Sequence, residues 1–127
     1  MVKTTIFVLK KAIAMIRKST YLSDREKKVV ESFVKELREK LGDDILDIRL
    51  FGSKARGNFK KDSDIDIFIL VRNKGRIRDE ITDIAADYFF KTNLPLAPVV
   101  YTLFEYNKNK ELGSFFFENI EKEGIPL

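Results

Sequence analysis

Apolar residues recur at Val29, Val30, Phe33, Val34, Leu37 and Leu41. That three-and-four spacing is the stripe a helix turns toward a core. Ser23-Asp24-Arg25-Glu26 precedes it with Ser and Glu three residues apart, the spacing of a capping box, and Gly42 follows as a stop. The pattern then shortens to a period of two. Leu46, Ile48 and Leu50 alternate with Asp47 and Arg49, which predicts a strand over 44–51 with one wet face. Residues 64–71, DIDIFILV, predict a second strand. Its odd face is wholly apolar, and its even face runs Asp64, Asp66, Phe68, Leu70. A strand apolar on both faces at its far end belongs in the middle of a sheet.

Asn73-Lys74-Gly75 reads as a turn. Ile77, Ile81, Ile84, Ala85 and Tyr88 predict a helix ending near Lys91. LAPVVYTL, residues 96–103, predicts a third strand, which Pro98 assigns to an edge. Residues 103–123 read as helical pieces with Leu112, Phe115, Phe116 and Ile120 inward, closed by Gly124. At the other end, Val2, Ile6, Leu9, Ile13 and Ile16 predict a basic amphipathic helix over 2–18, with strand as the competing reading at Thr4–Leu9. That helix either packs on its own domain or meets a membrane or a partner. The elements predict an α+β fold (mixed α/β), a small mixed β-sheet flanked by helices. One domain over 1–127 is expected, with 1–22 as an N-terminal helical extension.

Composition narrows the chemistry. The 127 residues include no Cys and no His, which excludes disulfides, thiolate metal sites, a Ser-His triad and a conventional zinc site. Carboxylates, Lys, Arg, Tyr, hydroxyls or a hard metal remain. A net charge of +4 favours anionic partners, although ordinary solubility explains it as well. No apolar run reaches the roughly 18 residues of a membrane span. Lys10 and Lys11 interrupt the first apolar stretch, and no small-residue cleavage site follows. A cytoplasmic protein is expected.

The candidate chemistry lies in FGSKARGNFKKDSDIDIFIL, residues 51–70. Asp64 and Asp66 share one face of a strand, with Cα atoms roughly 6.6–7 Å apart. Two ionised carboxylates on a partly buried face repel each other and resist desolvation, and a hard divalent cation removes that penalty. Upstream, Gly52-Ser53 permits close approach of backbone to a ligand, and the Ser hydroxyl and following amides suit phosphate oxygens. Lys54 and Arg56 add positive charge, and Gly57-Asn58 turns the chain back. The structural alternative is an acidic strand end paired with Arg56 or Lys60.

Gly52-Ser53, then ten residues, then Asp64-Ile65-Asp66, all between apolar strands, resembles the signature of the DNA polymerase β-like nucleotidyltransferase superfamily. The likeness is to its minimal nucleotidyltransferases, the MNT proteins, and covers about residues 25–123. The resemblance implies a small mixed sheet with flanking helices. It assigns the nucleotide phosphates to Gly52 and Ser53, with Arg56 beside them, and Mg2+ or Mn2+ to Asp64 and Asp66, the catalytic pair. It implies transfer of an NMP group from an NTP, ATP above all, to a hydroxyl acceptor on a partner protein. A HEPN-domain toxin is the implied partner, with this chain as its antitoxin. The alternative is a weakly active or inactive module that neutralises its partner by contact. Members of the superfamily usually carry a third carboxylate on the next strand. Here that strand has no acid, which leaves Glu105 and Asp62 as local candidates. Lys and Arg are scattered without a recognition motif, so sequence-specific nucleic-acid binding is not expected. Homo-oligomerisation through the N-terminal helix or a strand edge stays open.

Overall fold

The structure, a computed structural model, describes residues 21–57, 63–72 and 75–127. The helix expected over 2–18 lies outside the described residues, as do Asn58, Lys60, Asp62, Asn73 and Lys74.

Helix α1 (Asp24–Leu41) starts at the Ser23 cap. Glu26 N–H donates to Ser23 Oγ at 3.1 Å, and Ser23 N–H donates to Glu26 Oε1 at 2.9 Å. Its predicted stripe, Val29 to Leu41, is buried. A short 3-10 segment (Gly42–Asp44) leads into strand β1 (Ile45–Phe51). Helix α2 (Ser53–Arg56) is a single turn. Strand β2 (Ile65–Val71), helix α3 (Ile77–Thr92) and strand β3 (Leu96–Thr102) follow. Helices α4 (Leu103–Glu111) and α5 (Phe115–Glu123) precede the two-residue strand β4 (Ile125–Pro126).

The sheet order is β3-β2-β1-β4. β1 runs antiparallel to β2 and β4, and β2 runs parallel to β3. Among the described residues β2 is therefore internal and β3 an edge, the place Pro98 favours. The two faces of β2 serve different cores. Ile65, Ile67, Ile69 and Val71 join the stripe of α1 and Ile77, Ile81 and Ala85 of α3. Phe68 and Leu70 point the other way, into Phe117 and Ile120 of α5. Phe51, Tyr101, Tyr106 and Phe116 surround this second, largely aromatic core. Several of its rings meet edge to face, as Tyr101 and Phe117 do with centroids 4.9 Å apart.

Two expectations about inward residues are corrected. Leu46 is exposed and Ile45 is buried, because the β1–β2 register shifts between Ile45 and Asp47 and exchanges the faces of the strand's first residues. Leu112 and Phe115 are 78% and 79% exposed, and Phe117 takes the inward place beside Ile120. The chain breaks at Gly113-Ser114 between α4 and α5, so a single helical phase does not extend across 103–123.

Candidate active site

β1 ends at Phe51, which pairs with Asp66 of β2. The next residue, Gly52, has φ 72° and ψ −155°, a conformation essentially confined to glycine. It turns the chain off the sheet and lays its open side against the Asp66 carboxyl. A Cβ built there would stand 3.0 Å from Asp66 Cγ and closer still to Oδ2. The main chain of Gly52 thus occupies the space beside the carboxylate that a side chain would fill. Ser53 opens α2, where the amides of Ala55 and Arg56 both donate to Gly52 O at 3.1 Å.

Asp64 stands just before β2 on the same face as Asp66, exposed where Asp66 is half-buried. Burial pushes the Asp66 carboxyl above its ordinary range, and the Asp64 charge pushes it further; the Arg56 guanidinium pulls part of the way back. The pair repel as their spacing implies, and a cation between them would relieve both causes. Two oxygen-donor side chains on one face suit a hard divalent ion, which takes its remaining ligands from water and phosphate.

Two clefts open in this region, one at the Gly52 turn and one at Asp64. One, of about 270 Å³, is lined by Gly52, Arg56 and residues of α5, including Phe116, Asn119 and Glu123. The other, of about 390 Å³, has Asp64 at its rim and Ala85, Phe89, Phe90, Leu96 and Ala97 among its walls. The α5 wall and the Phe89-Phe90 wall carry no pattern that sequence reading could connect to the Asp-x-Asp pair.

Gly52, Ser53, Arg56, Asp64 and Asp66 thus come together. Two other residues do not. Lys54 is buried and forms an ion pair with Glu26 of α1, which engages its charge there. Glu105 accepts from Thr102 N–H at 3.0 Å, capping α4, and pairs with Arg78. It follows Thr102, which pairs with Val71, whereas Asp66 pairs with Ala97 at the opposite end of β3. At roughly 3.3 Å per strand residue, that separation is on the order of 16 Å. Glu105 is therefore not a third ligand. Ala97 stands beside Asp66, and among the described residues no three acids gather to hold a metal. Among those residues, too, no helix is long and apolar enough to cross a membrane.

A family profile described as "Nucleotidyltransferase domain" matches residues 30–126. Protein adenylyltransferase MJ0604 of Methanocaldococcus jannaschii, so named provisionally, is 34% identical over 104 residues, covering 80% of this chain and 97% of that protein. MJ0141 of the same organism carries the same provisional name and is 28% identical over 101 residues, covering 78% and 95%. Both alignments run nearly the whole length of the relatives. With the profile spanning β1, the Gly52 turn and β2, they place this chain in the nucleotidyltransferase family, as an enzyme of the nucleotidyltransferase class.

Proposed function

We propose that this chain transfers AMP from ATP to a hydroxyl group of a partner protein, releasing pyrophosphate. The observation that carries the reading is the packing of Asp66 against Gly52, which sets the turn proposed to hold the phosphates directly beside the acidic pair. In this reading the Ser53 hydroxyl and the turn's backbone hold the phosphates, Arg56 neutralises them, and Asp64 and Asp66 hold a divalent cation. Bound there, Mg2+ or Mn2+ would stabilise the charge that develops on the phosphoryl and leaving-group oxygens. The choice of AMP and of a protein acceptor follows the printed names of MJ0604 and MJ0141. The proposed acceptor is a HEPN-domain partner, for which this chain would act as antitoxin.

The test is ATP labelled at the α-phosphate, incubated with Mg2+ and a HEPN-domain partner. Label should appear on the partner and disappear with Asp64→Asn. Ala97 beside Asp66, where an acid would complete the set, favours a second reading: a module that neutralises its partner by binding. A stable complex without label would decide for it. Because Glu105 is bound into the α4 cap, Glu105→Gln should leave the affinity for Mg·ATP within about twofold, since removing a distant, screened charge is worth little. Calorimetric titration checks this, and a tenfold loss would return Glu105 to the site.

A further inference from the structure

Lys54 lies in the turn on which the proposed nucleotide site is built, and its ammonium pairs with Glu26 of α1. Its side chain is 2% exposed, and Nζ stands 3.0 Å from Glu26 Oε2. A buried ammonium persists only where it is paired. Glu26, 13% exposed, divides its oxygens between two tasks. Oε1 accepts the Ser23 amide in the cap of α1, and Oε2 takes Lys54. Burial pushes Glu26 up, but the Ser23 backbone amide, Lys54 and the Ser23 hydroxyl together outweigh it and hold the carboxyl below its usual range. Glu26 is therefore ionised at neutral pH.

The same end of α1 meets the turn a second time. The Tyr21 ring closes on Gly57, where a Cβ would lie 2.6 Å from Tyr21 Cε1. Gly57, with φ 87°, ends α2 by donating its N–H to Ser53 O at 2.8 Å. The segment 52–57 is thus pinned to the start of α1 through Lys54 and through Gly57. Its own hydrogen bonds span only one helical turn, too few to fix a conformation alone.

We propose that Lys54 is a positioning residue: through its buried pairing with Glu26 it anchors the 52–57 turn to α1, and so sets the turn's affinity for a nucleoside triphosphate without touching the phosphates. The affinity half rests on the nucleotide reading above; the anchoring half does not.

Glu26→Gln separates this role from direct phosphate contact. Glutamine keeps the oxygen that accepts the Ser23 amide, since Gln serves a capping box as well as Glu. It removes the charge that Lys54 faces. An anchor weakened in this way loosens the turn and lowers affinity. A lysine that gripped phosphate would instead be freed from a competitor, and affinity would hold or rise.

The experiment pairs calorimetric titration of Mg·ATP with amide hydrogen exchange at Ala55, Arg56 and Gly57, in wild type, Glu26→Gln and Lys54→Met. Both variants should weaken binding about tenfold, the scale of losing a supporting outer-shell contact. They should also speed exchange of those three amides about tenfold, while the buried Val30 and Ile67 amides keep wild-type rates. Should Lys54→Met fail to fold, Glu26→Gln alone decides. Unchanged exchange at the turn, or unchanged or tighter Mg·ATP binding by Glu26→Gln, overturns the proposal. A wild type that binds no Mg·ATP defeats the nucleotide reading and with it the affinity half; the exchange rates then decide the anchoring half.

Discussion

Gly52→Ala should cost about 2–4 kcal/mol of stability and remove Mg·ATP binding, from backbone strain and overpacking acting at one atom. The backbone at φ 72° and ψ −155° lies where non-glycine residues carry about 1–3 kcal/mol of strain. The added methyl then meets Asp66, with Cγ at 3.0 Å and Cβ at 3.2 Å from the new carbon. The Asp66 backbone has little room to withdraw, so the strain falls on its side chain or on the turn. The neighbours of Asp66, Ile65 and Ile67, are fully buried, and its partner Phe51 is hydrogen-bonded across the sheet. Either the carboxylate rotates off the shared face with Asp64, or the turn lifts away from it. Both outcomes separate the phosphate grip from the acidic pair. Urea unfolding should show a lower midpoint with an unchanged slope, and calorimetry should show no heat with Mg·ATP. A Gly52→Ala protein of wild-type stability and affinity would mean that this contact does not define the site.

Much of the fold was legible because its signals are local. The stripe of α1, the alternation in β2 and the Pro98 edge each reside in one short segment, and the structure has an element at each place. The failures come where the outcome depends on a distant partner. Leu46 looked inward because the alternation was counted without the register shift that only the partner strand reveals. The two residues of β4 are too few to carry a period, yet they extend the sheet by pairing with Arg49 and Leu50.

The site divides the same way. Asp64 and Asp66 stood out because carboxylates interrupt an apolar strand, an anomaly visible in sequence. Lys54 counted with Arg56 as positive charge near the turn because the two are neighbours in sequence; its ion pair with Glu26 reaches to α1, which no local pattern shows. Glu105 was a different kind of miss. Thr102 and Glu105 have the same three-residue spacing as Ser23 and Glu26, and both pairs close as capping boxes. The Thr-x-x-Glu signature was there to assign Glu105 to the end of a helix, away from a metal.

Asp66→Asn should separate stability from activity, raising the first and reducing transfer on the order of 10³-fold, the scale of losing a group that organises transition-state charge. Burial and the Asp64 charge hold the folded-state pKa of Asp66 above its unfolded value. Between those two values the folded chain binds more protons than the unfolded one. Stability from this group therefore falls as pH rises through that window, and the full penalty persists above it. Asparagine, nearly the same size, fits against Gly52 without the charge. At neutral pH and without divalent cation, the variant should melt about 2–4 °C above wild type, as for a gain of under about 1 kcal/mol. Acidification through the window should close that gap, because wild-type Asp66 then takes up its proton. Mg2+ should reverse the order. A cation held by Asp64 and Asp66 stabilises the wild-type folded state by mass action, and the variant lacks half of the pair. Melting curves across pH, with and without Mg2+, read all three effects. A variant less stable than wild type in the absence of cation would show that Asp66 serves the fold through a favourable interaction, and that its carboxylate is not a strained group awaiting a metal.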